Sequence, residues 1–321
     1  MITRRVALAA GAALLASALP RHPLRAAQGC GCFCRDGRMR LCDGRWLSYR
    51  ESGHPEGPLV FYFHGIPGSR IEAALCADES QQAGVHLVSI DRPGMGSSTY
   101  QACRRILDWP GDVEQLAAHF GYVDAPFGII GMSGGAPYAA ACAVRMPHRL
   151  THVAIVSGHA PMNAPGTCPG NQDKMIELVA RRPRLAKMGF RLIDRRLDRR
   201  PDKVVAVLTK KWTAADRQLI QCDRQLYRQL VQNLNESVRC GPDGLVTDIR
   251  LLACPWGFPL CQIQGVPVSL WQGGCDPIVT PSMGHYLHRQ IAGSELTLDP
   301  RAGHVTMLKW HIPEILSRFT S

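Results

Sequence analysis

Residues 127–138 read FGIIGMSGGAPY, and they decide how the rest of the chain is taken. A short apolar run, Phe127 to Ile130, leads to Ser133 with Gly131 and Gly135 two residues to either side, and Ala136 to Met146 continues as a good helix former. Strand, sharp turn and helix in that order are the G-x-S-x-G nucleophile elbow. The turn is so tight that a side chain on its neighbours would clash with strand or helix, which glycine avoids. The hydroxyl of Ser133 is then pushed out at the top of a sheet, where the first free N–H groups of the helix also point. Glycine-rich strand–helix turns also occur without catalytic meaning, so the elbow needs partners elsewhere in the chain.

Working outward, Arg45 to Glu51 reads as a strand, Gly53 to Gly57 as a turn and Leu59 to Phe63 as a buried strand, together a hairpin. The buried strand ends at His64-Gly65-Ile66-Pro67-Gly68-Ser69-Arg70, and a second, Val85 to Ile90, ends at Asp91-Arg92-Pro93-Gly94-Met95-Gly96-Ser97-Ser98. Strands that feed glycine-rich loops and then helical stretches predict a mostly parallel sheet covered on both faces. Trp109 to Phe120 continues the pattern as a helix and Val153 to Ser157 as a strand. From Met162 to about Ile263 no buried-strand run is found, whereas Leu185, Met188, Leu192 and Leu197 recur near helical spacing among arginines. Alternation resumes with strand Val266 to Leu270, helix Pro281 to Ile291, strand Glu295 to Leu298 and helix Pro313 to Phe319. The expected organisation is an α/β core in two halves, 43–161 and 264–321, interrupted by a helical lid at 162–263.

A serine hydroxyl is a weak nucleophile at neutral pH and needs a base, which in turn needs an acid to orient it. Asp276 lies on the loop after the strand Val266 to Leu270, and His304 lies on the loop after the next strand. In open parallel sheets catalytic groups gather beyond the carboxyl ends of the strands, where all three fall. Their chain order, Ser133, Asp276, His304, is that of one serine-hydrolase fold and not of the others. Ser133 would attack, His304 would take and return the proton, and Asp276 would fix the imidazole tautomer. The tetrahedral oxyanion would be held by the backbone N–H groups of Gly134 and Ile66. Asp91 reads as a turn cap, His159 as a structural residue or one at the base of the lid, and Cys275 as packing. Trp256, Phe258 and Trp271 read as core, with the junction of lid and core as the other place for them.

From about Asp43 to its end the chain resembles the α/β-hydrolase superfamily through His64-Gly65-x-Pro67-Gly68-Ser69, Asp91-Arg92-Pro93-Gly94-x-Gly96-x-Ser98, the elbow, Asp276 and Gly303-His304. It looks closest to the bacterial branch shared by esterases and epoxide hydrolases. The resemblance implies a mixed, mostly parallel sheet with helices on both faces, a helical cap, and no metal or organic cofactor. Epoxide hydrolases and haloalkane dehalogenases of this type carry aspartate at the elbow; serine there points instead to an acyl-enzyme. The expected activity is hydrolysis of a small or medium ester-like substrate. The alternatives are a slow or non-hydrolytic ligand-binding protein on the same fold and an acyltransferase with the same three residues.

A formal net charge of +11 over 321 residues first suggests nucleic acid or a membrane as partner. Its distribution argues otherwise for nucleic acid: residues 162–262 carry roughly +8, without interleaved aromatics or a recognised module. The stretch Arg181 to Arg200 reads as a solvated helix face paired at i,i+4 with Asp194 and Asp198. Thr3-Arg4-Arg5 before the apolar run Val6 to Leu19 reads as a twin-arginine export signal over 1–27, too short to span a bilayer; a cytoplasmic protein is the alternative. A cysteine-rich linker is expected at 28–42, where Cys30, Cys32, Cys34 and Cys42 lack the spacing of a zinc site and suit local disulfides or free thiols. The mature chain is expected to carry no integral membrane segment and to take a small-molecule substrate.

Overall fold

The computed structural model describes residues 33–162 and 164–320, so the expected export leader and the first cysteines of the linker lie outside the described residues. Among the described residues, β1 (Cys34–Arg40), β2 (Trp46–Gly53), β3 (Leu59–Phe63), β4 (His86–Ile90), β5 (Phe127–Met132), β6 (Leu150–Val156), β7 (Val268–Gly273) and β8 (Glu295–Asp299) form one sheet. Its order is β1-β2-β4-β3-β5-β6-β7-β8, antiparallel across the β1–β2 and β2–β4 pairs and parallel from β4 onward.

The parallel strands are near-continuous apolar runs because both faces are covered. Along β3, Leu59, Phe61 and Phe63 enter one core, with α2 (Trp109–His119), α3 (Ala136–Arg145) and α10 (Pro281–Gln290). Val60 and Tyr62 enter the opposite core, against α11 (His304–Ser317), near which α1 (Ala77–Gln82) also packs. Period-two alternation of the side chains sorts them between the two layers. Chain direction across the sheet reverses at β3, which has β4 on one side and β5 on the other. That switch point opens a crevice at the carboxyl ends of β3 and β5, where the His64 loop and Ser133 begin.

Between β6 and β7 come six helices: α4 (Asp173–Arg181), α5 (Pro183–Arg199), α6 (Pro201–Thr209), α7 (Ala214–Cys222), α8 (Arg224–Ser237) and α9 (Asp243–Ala253). They fill the segment that the sequence leaves without strands.

Four expectations need correction. The strands before and after residues 54–57 are not a hairpin: β2 pairs with β4, Tyr49 opposite Ile90, and β4 separates it from β3. Residues 54–58 need only cross two strand spacings, roughly 10 Å, which a five-residue link spans easily. Second, the segment expected as a linker contains β1, the true hairpin partner of β2. Its sequence CRDGRMR has no apolar alternation because it is an edge strand with most residues exposed. The last helix, third, starts at His304 and not at Pro313, which lies inside it. Finally, no ion pair joins Asp194 or Asp198 to an arginine among the described residues. Four positions from Asp194 stand Phe190 and Asp198, so the two aspartates meet each other along the helix.

Candidate active site

Ser133 follows β5 directly and has φ +51°, the left-handed region that costs a residue with a side chain about 1–3 kcal/mol. Close packing on both sides holds it there. A Cβ on Gly131 would stand 2.7 Å from the Ala139 Cβ, and one on Gly135 only 2.2 Å from the Phe63 carbonyl oxygen. Both elbow glycines are therefore required by contact, the first with α3 and the second with the end of β3.

Asp276 sits on the loop after β7, and His304 is the first residue of α11. His304 Nδ1 lies 2.7 Å from Asp276 Oδ2, while Asp276 Oδ1 accepts from the Ile278 and Val279 N–H groups at 2.8 and 3.1 Å. A carboxylate at Nδ1 makes that nitrogen the donor and leaves Nε2 as the basic one. Burial opposes the imidazolium, but the charge and hydrogen bond of Asp276 outweigh it, helped by Asp216 and Glu72, and the His304 pKa is raised. Ser133 and His304 line the same cavity.

The backbone of His304 is anchored at both ends. Its N–H donates to Asp216 Oδ2 at 2.9 Å, and its carbonyl accepts from Ser157 Oγ at 3.1 Å. Asp216 belongs to α7 and is fully buried. Through Oδ1 it also accepts from Val305 N, Thr306 N and Thr306 Oγ1 at 3.1, 2.8 and 2.9 Å. Gly303, just before α11, has no side chain to cap the helix, so an aspartate from the insertion supplies the cap. Neither Asp216 nor Ser157 is singled out by the sequence.

On the other side of the cavity, the expected donors Ile66 and Gly134 are neighbours: a Cβ on Gly134 would meet Ile66 Cγ1 at 2.6 Å. The loop carrying Ile66 is tied down by Arg92 and Glu72. Arg92, wholly buried, donates to the His64 and Gly65 carbonyls at 2.5 and 3.0 Å and through Nε to Asp248 on α9 at 2.6 Å. Burial alone would raise the Asp248 carboxyl, but Arg104 and Arg92 hold it well below the usual carboxylate range. Glu72 Oε1 accepts from Gly65 N at 2.8 Å and Tyr62 Oη at 3.0 Å, and its Oε2 takes a longer bond, 3.4 Å, from Asn233 Nδ2. Burial pushes the Glu72 carboxyl up further than these donors pull it down.

The remaining sequence candidates fall into place around this centre. Asp91 is buried and accepts from Arg70 N at 2.7 Å and Ser97 N at 3.1 Å, holding its turn. His159 donates its backbone N–H to the Ser133 carbonyl at 3.3 Å, and burial, with His304 nearby, lowers its pKa to about 3. It stays neutral beside the site. Cys275, read from the sequence as packing, is instead exposed, its thiol donating to the Pro300 carbonyl at 3.0 Å; all cysteines among the described residues are free thiols. Trp256 and Trp271 are buried in the core, with Phe258 packed against it; the indole in the cavity wall is Trp212.

The empty space between the walls of the cavity, open solvent at the mouth included, is about 960 Å³. Ile71, Leu75, Leu226, Leu230 and Leu308 make most of its wall apolar, and Glu72, Gln172, Gln229 and Asn233 add a few polar groups. An apolar chamber with sparse polar groups suits a small organic ligand.

A family model described as the Alpha/beta hydrolase family matches residues 53–311. The chain belongs to the α/β-hydrolase family. Among curated members of this kind it is similar to a pimeloyl-(acyl-carrier protein) methyl ester esterase of Neisseria meningitidis serogroup B, 27% identical over 227 residues that cover 68% of this chain and 76% of that protein. Two solved structures share its fold. The enol-lactonase from Burkholderia xenovorans LB400 has a TM-score of 0.66 at 19% identity, covering 88% of this chain and 99% of that one. An esterase from Exiguobacterium antarcticum has a TM-score of 0.68 at 16% identity, again covering 88% and 99%. At these identities the likeness of the two structures speaks for the α/β-hydrolase fold alone.

Proposed function

We propose that this α/β-hydrolase is a serine esterase that cleaves a small or medium, largely apolar ester through an acyl-enzyme. The observation that carries the reading is the 2.7 Å bond between His304 Nδ1 and Asp276 Oδ2 in the wall of the cavity that also holds Ser133.

In the proposed reaction His304 Nε2 takes the Ser133 hydroxyl proton as Oγ attacks the ester carbonyl. The imidazolium that forms is stabilised by Asp276. The oxyanion is held by the N–H groups of Gly134 and Ile66, each contributing about 3 kcal/mol to the transition state. Collapse expels the alcohol, which receives the proton from His304 and leaves the acyl group on Ser133. A water, deprotonated by the same imidazole, then releases the acid. The six inserted helices act as the lid, supplying Leu226 and Leu230 as wall for the acyl chain. The Neisseria relative, whose name specifies a methyl ester, supports a small alcohol as leaving group.

A series of p-nitrophenyl esters from acetate to decanoate tests this. Turnover that peaks at a medium chain and is abolished by Ser133→Ala is expected. A folded protein that binds these esters without hydrolysing any of them would favour the ligand-binding alternative. Accumulation of a new ester when a competing alcohol is present would favour acyl transfer.

A further inference from the structure

Helix α5 is seventeen residues long and buries one of them, Leu197. Its inward side is the row of half-buried Ala186, Phe190 and Asp194 with buried Leu197. On its outward side Leu185, Met188, Leu192, Arg195 and Arg199 recur every three or four residues, the spacing of a single helix face. The three apolar residues of that stripe are 61%, 65% and 48% exposed, and Val207 on the neighbouring α6 is 74% exposed. Isolated exposed leucines are ordinary; a stripe at helical spacing with a second helix beside it is a patch.

Cations surround this patch. From Arg181 to Lys211 the sequence has twelve lysines and arginines against three aspartates. A groove between α5 and α6 is lined by Arg195, Arg196, Arg199, Arg200 and Lys203 together with Asp198, and none of the five cations has a carboxylate within 4.0 Å among the described residues. Internal pairing therefore does not explain these charges. Leu208 belongs both to this groove and to the cavity that holds Ser133.

From this juxtaposition we infer that the outer face of α5 and α6 docks on an anionic lipid bilayer. A helix with an apolar stripe bordered by arginines lies in the plane of a membrane, the stripe sunk to the level of the acyl chains and the cations among the headgroups. Negative surface charge meets the unpaired arginines. An acidic protein would satisfy the charges but leave Leu185, Met188, Leu192 and Val207 without a use. The contact is peripheral: among the described residues no helix is long and apolar enough to cross a membrane. Docking would turn the wall at Leu208, next to the Ser133 cavity, toward the lipid. The inference does not depend on Ser133 being a nucleophile.

Sedimentation of the full chain with sucrose-loaded vesicles tests it. Vesicles of equal phosphatidylglycerol and phosphatidylcholine are expected to bind the protein at least tenfold more tightly than phosphatidylcholine alone, with loss of binding in high salt. Each cation at a lipid surface contributes on the order of fivefold, so the triple change Arg195→Ala, Arg199→Ala, Arg200→Ala should weaken binding by about a hundredfold. The pair Leu192→Asp and Val207→Asp, at exposed sites, should weaken it at least tenfold with thermal unfolding unchanged. Ser133→Ala should bind like the parent. Absence of binding to the anionic vesicles overturns the inference, and so does binding that the aspartate pair leaves intact. A protein that ignores vesicles but retains an acidic polypeptide such as polyglutamate also overturns it, since the face would then serve a protein partner.

Discussion

Replacing Asp216 by asparagine probes how the inserted helices hold His304, the base of the proposed reaction. Asp216 is fully buried and accepts four hydrogen bonds, three from backbone N–H groups in the first turn of α11. An asparagine keeps one acceptor oxygen. Its best orientation keeps the three donors at Oδ1 and turns the amide NH2 against the N–H of His304, orphaning that donor. One unsatisfied buried N–H costs about 1–3 kcal/mol, and losing the negative charge at a helix N-terminus costs up to about 1 kcal/mol more. We therefore expect a loss of roughly 1–4 kcal/mol in urea unfolding. The kinetic effect has a distinct sign. Burial lowers the His304 pKa, but Asp276 outweighs it, and the charge of Asp216 adds a smaller upward effect. In the proposed reaction His304 acts as a neutral base, so activity rises with pH through this pKa. Without the charge, the pKa falls and the acid limb of kcat/KM moves to lower pH. The profile measured from about pH 5 to 9, below the unfolding temperature of both proteins, should show that shift along with a lower plateau. A variant with parental stability and an unmoved acid limb would refute the reasoning, as would a limb displaced to higher pH.

Three further outcomes follow from the same contacts. Glu72→Ala removes the acceptor for Gly65 N and should loosen the Ile66 donor, lowering kcat about 10²-fold with little change in KM; an unchanged kcat would show that Arg92 alone fixes the loop. Gly135→Ala places a methyl 2.2 Å from the Phe63 carbonyl and should cost at least about 3 kcal/mol, so a variant melting like the parent would contradict the tight elbow. Burial lowers the pKa of His159 to about 3 and of His152 to about 4, below the ordinary value that both recover on unfolding. Their stabilisation is complete above about pH 6.5 and is lost as the pH falls toward 3, by up to about 1.4 kcal/mol per group and pH unit, partly offset by the raised His304. Urea midpoints should drop between pH 7 and 5, and equal midpoints would count against buried neutral imidazoles.

The positions of the candidate residues, set by local chain geometry, are legible in the sequence; the roles given to them belong to the proposal. Ser133, Asp276, His304, Ile66 and Gly134 each stand in or beside a glycine-bearing loop that follows a strand, and the parallel sheet places those loops at the carboxyl ends of its strands. What escaped depends on distant partners. Asp216 is 88 residues from His304 and is the third residue of its own helix, its N–H bonded to the Thr213 cap, so nothing in its local setting points to the distant partner. Glu72 looks like any acidic residue in a short helix until Gly65 and Asn233 are placed beside it. The pairing of β2 with β4 requires a strand from further along the chain to enter between two neighbours, which hairpin logic does not anticipate. The polar edge strand β1 carries no periodic signal because solvent, not a core, meets most of its side chains.

Treatment with a fluorophosphonate followed by intact-mass analysis asks whether Ser133 is the acyl-accepting nucleophile. A single adduct is expected, mapped by peptide sequencing to the segment containing Ser133, formed in step with loss of esterase activity, absent from Ser133→Ala and greatly slowed in His304→Ala. A folded, active protein that takes up no label, or one labelled at another residue with Ser133 unmodified, would contradict it.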